Sequence, residues 1–278
     1  MISGKAKIAG VIGWPIDHSR SPRLHNYWLA RHDIDAAYVP LTVPPDQLAA
    51  ALHGLPALGF VGANVTIPHK EAVIPFLDAV DPAARQIGAV NTIVVQEGRL
   101  HGSNTDGFGF LENLKAGAPT WRAEAGPVVL IGAGGAAKAV AWALIDAGVP
   151  SLVIVNRTQA RAEELAGALG ATARVAPWEA RAAALGDAAL VVNTSALGMS
   201  GKPGLDLDLA DLPATAIVHD IVYQPLETPL LAAARARGNP TVAGIGMLLH
   251  QGRPGFRAWF GVDPTVDDDL RDHVLATG

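Results

Sequence analysis

The sequence predicts a two-domain α/β protein, with a doubly wound parallel sheet inserted into a discontinuous α/β domain. Three observations carry this. Short apolar runs alternate with helix-length segments along most of the 278 residues. One run, Pro127-Val128-Val129-Leu130-Ile131, opens into a glycine-rich turn, Gly132-Ala133-Gly134-Gly135-Ala136-Ala137. After Gly244 the chain is helical, with no further strand for those helices to follow, so it returns to the first domain. The expected domains are residues 1–107 with 246–278, and residues 108–245.

Taken in order, Lys7 to Ile12 is short and apolar, hence a strand. Pro22 to Arg31 reads as a helix, with proline preset for the first turn and Ser21 placed to cap it. Ala36 to Val43 is a strand, Pro45 to Leu55 a helix and Gly59 to Val65 a strand. Ala89 to Val95 and Arg99 to Gly102 form an extended pair joined at Glu97-Gly98. A helix over Gly107 to Ala116 leads into a linker at Gly117-Ala118-Pro119. Strands then follow at Val128–Ile131, Leu152–Val155, Ala171–Ala176, Ala189–Asn193, Ala216–Asp220 and Thr241–Ala243. Their near-continuous apolar character suits strands buried on both faces. Gly246 to Trp259 and Val266 to Leu275 are the closing helices, the first expected to be weakened or kinked at Gly252-Arg253-Pro254. Asp267-Asp268-Asp269 reads as a solvated helix start and not as a metal site.

Half of the residues are hydrophobic and 17% are charged, which excludes a disordered chain. A net charge of −5 with no basic stripe gives no nucleic-acid partner. The most apolar region carries Lys138 and Asp146, so no membrane span is expected, and Met1 to Lys5 lacks a signal core. The absence of cysteine excludes disulfides and thiolate chemistry. His18 and His25 have no third ligand at a metal-binding spacing. A cytoplasmic enzyme acting on a small molecule fits these bounds, and a homodimer is compatible with them.

The glycine turn between an apolar strand and the helical segment Ala136 to Ala147 is the arrangement that receives a pyrophosphate in a Rossmann-like domain. Gly132, Gly134, Gly135 and Ala136 are the expected contacts. The next strand ends in Asn156-Arg157-Thr158, with Arg161 one helical turn on. NAD sites carry a carboxylate there for the ribose 2′-hydroxyl, whereas guanidinium groups suit a 2′-phosphate, so the cofactor expected is NADP(H).

Polar residues gather at the other strand ends: Thr66 and Lys70, Asn91 and Thr92, Asn104 to Asp106, Asp220 and Tyr223. A Lys and an Asp together suit alcohol–ketone chemistry, because hydride loss from a carbinol needs the hydroxyl proton removed and the reverse needs one supplied. Lys70 and Asp106 are the candidate pair. Ser19 and Ser21, beside a helix start, are placed to receive a carboxylate.

Eight stretches in a fixed order then resemble the shikimate dehydrogenases over nearly the whole chain. They are residues 18–22 (HSRSP), 64–70 (NVTIPHK), 88–92 (GAVNT), 102–107 (GSNTDG), the glycine turn, 156–158 (NRT), 220–225 (DIVYQP) and 246–251 (GMLLHQ). The resemblance implies NADP-dependent interconversion of 3-dehydroshikimate and shikimate in aromatic amino-acid biosynthesis. It implies that Ser19 and Ser21 hold the substrate carboxylate. Thr66, Asn91, Asp106 and Gln251 would hold the ring hydroxyls, with Lys70 and Asp106 at the reacting one. Tyr223 would line the substrate side and Met247 the nicotinamide side, while Asn156, Arg157, Thr158 and Arg161 hold the 2′-phosphate. Ser195 stands where the family usually has Thr.

Two alternatives accompany this reading. A quinate/shikimate dehydrogenase of the same fold often has Thr for the second Ser and an acidic residue at the second strand end, so Ser21 and Arg157 weigh against it. A non-catalytic NADP-binding regulator has no need to keep both Lys70 and Asp106.

Overall fold

The computed structural model describes residues 2–276. They form two compact units: one runs to Thr105 and resumes at Leu248, and the other spans Asp106–Met247.

The first unit contains β1 (Lys7–Gly13), α1 (Ser21–Arg31), β2 (Ala36–Thr42), α2 (Leu48–Ala57), β3 (Phe60–Val65), β4 (Ala79–Val80), α3 (Pro82–Ile87), β5 (Thr92–Gln96) and β6 (Arg99–Ser103). Its sheet runs β2-β1-β3-β5-β6-β4, with β1 parallel to β2 and β3, and β5 antiparallel to β3 and β6. One core packs Ile12, Val65 and Ile93 against Leu48, Leu52 and Leu55 of α2. A second layer is aromatic: Trp28, Tyr38, Phe256 and Trp259 surround His25, and the Trp259 indole donates to the Ile93 carbonyl at 2.9 Å. At the β2 edge the Asn26 side chain takes both backbone groups of Tyr38, accepting from its N–H at 3.1 Å and donating to its carbonyl at 2.8 Å.

The second unit contains α4 (Asp106–Gly117), β7 (Val128–Ile131), α5 (Gly135–Asp146), β8 (Leu152–Val155), α6 (Gln159–Leu169), β9 (Ala173–Ala176), β10 (Leu190–Asn193), β11 (Ile217–Asp220), α7 (Pro229–Ala236) and β12 (Thr241–Val242). All its strands are parallel, in the order β12-β11-β10-β7-β8-β9. This is the doubly wound order, with its switch point between β7 and β10. β7, β8, β10 and β11 are buried at every residue because apolar layers cover both faces. Leu130, Ile154 and Val192 meet Phe110, Val140 and Leu165 on one side; Val129, Val153 and Val218 meet Leu185, Leu230 and Leu231 on the other. Two further helices close the chain, α8 (Ile245–Phe260) and α9 (Asp268–Leu275), the latter capped by Asp267 through the Leu270 N–H at 3.0 Å.

Several local expectations differ from what is found. Asp106 and Gly107 group with the second unit, as do residues 246–247. A Cβ at Gly107 would stand 2.9 Å from the Ala143 Cβ, so the glycine lets the start of α4 lie directly on α5. Residues 89–91 are loop and not strand, with the Val90 N–H on the Lys70 carbonyl and the Asn91 N–H on that of Ser103. β4 and α3 fall where neither was expected, since two strand residues and a six-residue helix leave little periodicity to read. α8 continues through Gly252-Arg253-Pro254. A Cβ at Gly252 would lie 3.0 Å from Leu24 Cδ2 and 3.3 Å from His25 Nε2, so the glycine is where α8 touches α1. Arg253 also bonds the Pro264 carbonyl at 3.0 Å and Asp263 at 3.1 Å. Tertiary contacts thus outweigh the local helix propensity.

Candidate active site

In the first unit the site begins at the end of β1. Gly13 has no side chain because a Cβ there would meet Thr66 Cγ2 at 2.6 Å, so Thr66 is drawn in beside the strand end. Ser19 and Ser21 follow on the loop into α1, half-buried and buried respectively. Ser21 was expected to cap α1, but it is the helix's first residue, the capping position is Arg20, and no side chain caps. The Ser21 N–H instead donates to the Ser19 hydroxyl at 3.3 Å. Lys70 is half-buried in the turns after β3, where His69 is anchored to the Val43 carbonyl at 2.7 Å.

A buried polar network occupies the middle of this unit. Asn91, 2% exposed, accepts at Oδ1 from the Thr105 N–H at 2.8 Å and the Thr92 hydroxyl at 3.0 Å. Its Nδ2 donates to Gln251 Oε1 at 3.3 Å. Gln251 is itself tied by Nε2 to the Leu248 carbonyl at 3.2 Å, and its carbonyl accepts from the Thr105 hydroxyl at 2.8 Å. The kink expected at residues 252–254 does not displace Gln251. Buried polar groups this fully paired are fixed in orientation.

In the second unit the functional residues stand at the carboxyl ends of the parallel strands. Gly132 ends β7 with φ +119, a conformation glycine adopts freely, and a Cβ there would be 2.6 Å from Thr194 Oγ1. Gly134 and Gly135 face open space, since a Cβ at either would meet nothing within 4 Å. Gly134 is the N-cap of α5 and no side chain caps this twelve-residue helix. Its first N–H groups are available to an anion, so the turn fits a pyrophosphate. At the end of β8, Asn156 Nδ2 bonds the Thr158 carbonyl at 2.8 Å, while Arg157 and Arg161 are exposed. Among the described residues neither arginine makes an ion pair.

Asp220 ends β11 and ties two neighbouring loops. It accepts from Asn193 Nδ2 at 3.0 Å, the Val222 N–H at 3.0 Å and the Thr228 hydroxyl at 2.7 Å. Burial pushes its carboxyl above the usual range, and those three donors oppose the shift. Asn193 in turn accepts from the Ser195 N–H at 3.0 Å and donates to the Leu197 carbonyl at 3.0 Å. The half-buried Tyr223 follows Val222 directly, and Met247 lies in the core on the α4 and α5 side. Asp106 is buried at the first position of α4, where an acidic residue complements the helix dipole.

Residues 11–93 match the model of the shikimate dehydrogenase substrate binding domain, and residues 119–198 that of shikimate / quinate 5-dehydrogenase. The shikimate dehydrogenase (NADP(+)) of Rhodospirillum rubrum is 63% identical over 280 residues, covering 99% of each chain. The chain belongs to the shikimate dehydrogenase family. Among solved shikimate dehydrogenases, that of Thermus thermophilus in complex with NADP(H) and shikimate is 37% identical, with TM-score 0.86 over 96% of this chain and 98% of that one. The quinate dehydrogenase of Corynebacterium glutamicum in complex with NAD is 34% identical, with TM-score 0.90 over 97% of this chain and 99% of that one. The fold is therefore common to both substrate preferences, and side chains must separate them.

Within the first unit Asn91 and Gln251 meet directly, and Asn64 joins Tyr38 to Asn91 and Thr92. Tyr38 lies outside the eight motif stretches, and Asn64 opens the second of them without an assigned site role. Their one signal is an Asn inside the otherwise apolar run Phe60–Val65. A buried side-chain amide needs partners, and one of the Asn64 partners is the candidate site residue Asn91.

Proposed function

We propose that this chain catalyses the reversible NADP-dependent reduction of 3-dehydroshikimate to shikimate, a step of chorismate and aromatic amino-acid biosynthesis. The observation that carries the cofactor half is the β8 end: two exposed arginines uncommitted to ion pairs, and no acidic residue among Asn156, Arg157 and Thr158. The first unit is the substrate domain and the second the NADP domain. The uncapped start of α5 with Gly132, Gly134, Gly135 and Ala136 would hold the pyrophosphate, and Asn156, Arg157, Thr158 and Arg161 would hold the 2′-phosphate. Met247 would line the nicotinamide side.

NADP(H), when bound, exchanges a hydride with the carbinol carbon. Lys70 holds the proton at the reacting oxygen, donating it during reduction and receiving it during oxidation, with Asp106 orienting that hydroxyl. Ser19 and Ser21 hold the carboxylate, Thr66, Asn91 and Gln251 the remaining hydroxyls, and Tyr223 lines the substrate side. Ser21 and Arg157 separate this assignment from an NAD-dependent quinate dehydrogenase, since quinate needs more room at the carboxyl-bearing carbon and NAD has no phosphate for Arg157.

Initial rates with shikimate and with quinate, each with NADP and with NAD, test the proposal at matched concentrations. Shikimate with NADP is expected to be fastest by a wide margin. Equal or faster turnover of quinate with NAD would replace this reading by the quinate one, and no turnover in any combination would favour a non-catalytic regulator.

A further inference from the structure

His69 is 1% exposed and stands in sequence between two candidate site residues, Thr66 and Lys70. Its ring crosses to the loop after β2, where Nε2 meets the Val43 carbonyl at 2.7 Å. A carbonyl only accepts, so Nε2 carries a proton and donates it. The Val43 N–H is bonded in turn to the Gly13 carbonyl at 3.1 Å, and the Thr66 N–H to that of Ile12 at 2.9 Å. The imidazole therefore closes a circuit through the ends of β1, β2 and β3. On its own segment the His69 N–H donates to the Thr66 carbonyl at 2.9 Å, and the His69 carbonyl accepts from the Val73 N–H at 2.9 Å. The next carbonyl, that of Lys70, accepts at 2.8 Å from the N–H of Val90, the residue before Asn91. Residues 66–73 belong to no helix or strand, so these bonds, and no regular ladder, set where the backbone lies.

We infer that His69 is a positioning residue for proton transfer at Lys70: its ring, fastened to the Val43 carbonyl, fixes the backbone that carries the lysine. The imidazole works here as a fixed donor and acts through its neighbour. Another donor of the same reach should then serve, because what matters is the tie to Val43 and not a titrating ring. The inference rests on the assignment of Lys70 to the reacting hydroxyl.

The test is steady-state kinetics of His69→Met, His69→Gln, Lys70→Ala and the double variant H69M/K70A with shikimate and NADP. Glutamine places an amide nitrogen as many bonds from Cβ as Nε2 is; methionine has the same length and no donor. H69M should lower kcat about tenfold, since a misplacement of about 1 Å in the catalytic geometry can cost about a hundredfold. KM for NADP should not move, because the residues assigned to the cofactor lie in the other unit. H69Q should recover kcat to within a factor of about three of the parent, as one amide–carbonyl bond replaces another. The double variant should be no slower than K70A alone within a factor of about two, since the two side chains act as one. Unchanged kcat in H69M, fully multiplicative losses in the double variant, or an equal rise in KM for NADP would each overturn the inference. H69Q as slow as H69M would also overturn it, by making the imidazole itself the proton carrier. Should H69M fail to fold, His69→Asn, whose shorter amide stops short of the Val43 carbonyl, must show the same loss of kcat. A parent protein inactive on shikimate, or a K70A variant of near-normal turnover, removes the role of Lys70 and this inference with it; an active parent, a slow K70A and unaltered H69M kinetics overturn this inference alone.

Discussion

The two units present their functional groups in opposite ways. In the second, the groups proposed to face the cofactor are backbone N–H groups at an uncapped helix start and two exposed arginines, each independent of the others. In the first, the groups proposed to face the substrate include buried side chains already bonded to one another, with Asn91 alone engaging Thr92, Thr105 and Gln251. The difference teaches where changes should stay local and where they should spread. Removing an exposed arginine deletes one contact, whereas removing a network member leaves its partners unsatisfied as well.

The largest expected effect lies on Lys70, in the first unit. Lys70→Ala should leave circular dichroism and thermal melting nearly unchanged while turnover falls at least about a hundredfold, as proton transfer contributes about 10²–10⁴ in rate. Near-normal turnover would remove Lys70 from the mechanism.

Next, Arg157→Ala should weaken NADP by roughly tenfold to a hundredfold, the equivalent of one charged hydrogen bond at about 1.5–3 kcal/mol, and leave NAD nearly untouched. Titration of both nucleotides checks this, and equal losses would mean that Arg157 does not face the 2′-phosphate. Independence of the second unit's groups also requires unaltered melting of the apo variant.

The contrasting expectation is for Asn91→Ala. Because the Thr105 N–H and the Thr92 hydroxyl lose their acceptor, folding stability should drop by about 1–3 kcal/mol in addition to any loss in shikimate affinity. Denaturant unfolding of the apo protein measures it. A variant as stable as its parent would show that the network is not the pre-bonded unit described.

The smallest effect is common to both halves. Burial pushes His25, in the first unit, and His219, in the second, each down to about 3 from an ordinary 6.5. The unfolded chain therefore binds protons at higher pH than the folded one. Stability contributed by the neutral folded forms is complete above about pH 7 and declines as pH falls from about 6.5 toward 3, with a slope of up to about 1.4 kcal/mol per pH unit per histidine. Unfolding midpoints between pH 7 and pH 4 test the sign. His219→Gln, whatever its absolute stability, should show a slope shallower by about 1 kcal/mol per pH unit.

Legibility in the sequence followed the same division. The parallel strands of the second unit could be read directly because four-residue apolar runs buried on both faces contain little else, and the glycine turn and β8 end announced themselves by composition. The first unit was readable as motifs but not as a network. Ser21 before Pro22 looked like a cap, yet Arg20 holds that position and no side chain caps the helix. Gly252 and Pro254 looked like helix breakers because propensity is local, while the contacts of Gly252 with Leu24, His25 and Trp28 join residues more than 220 positions apart. Tyr38 and Asn64 met across strands whose pairing no spacing along the chain encodes.

The bond between Asn26 and the backbone of Tyr38 has a last consequence for how this molecule behaves in a crowd. β2 is the outermost strand of the first sheet, and an outer strand is an invitation to foreign β-structure. Here an amide side chain imitates the missing neighbour at Tyr38, and Pro40, two residues on, has no N–H to offer. The sheet thus ends on a strand that cannot readily serve as a template, and the residue that closes it is the one that also steadies the tyrosine.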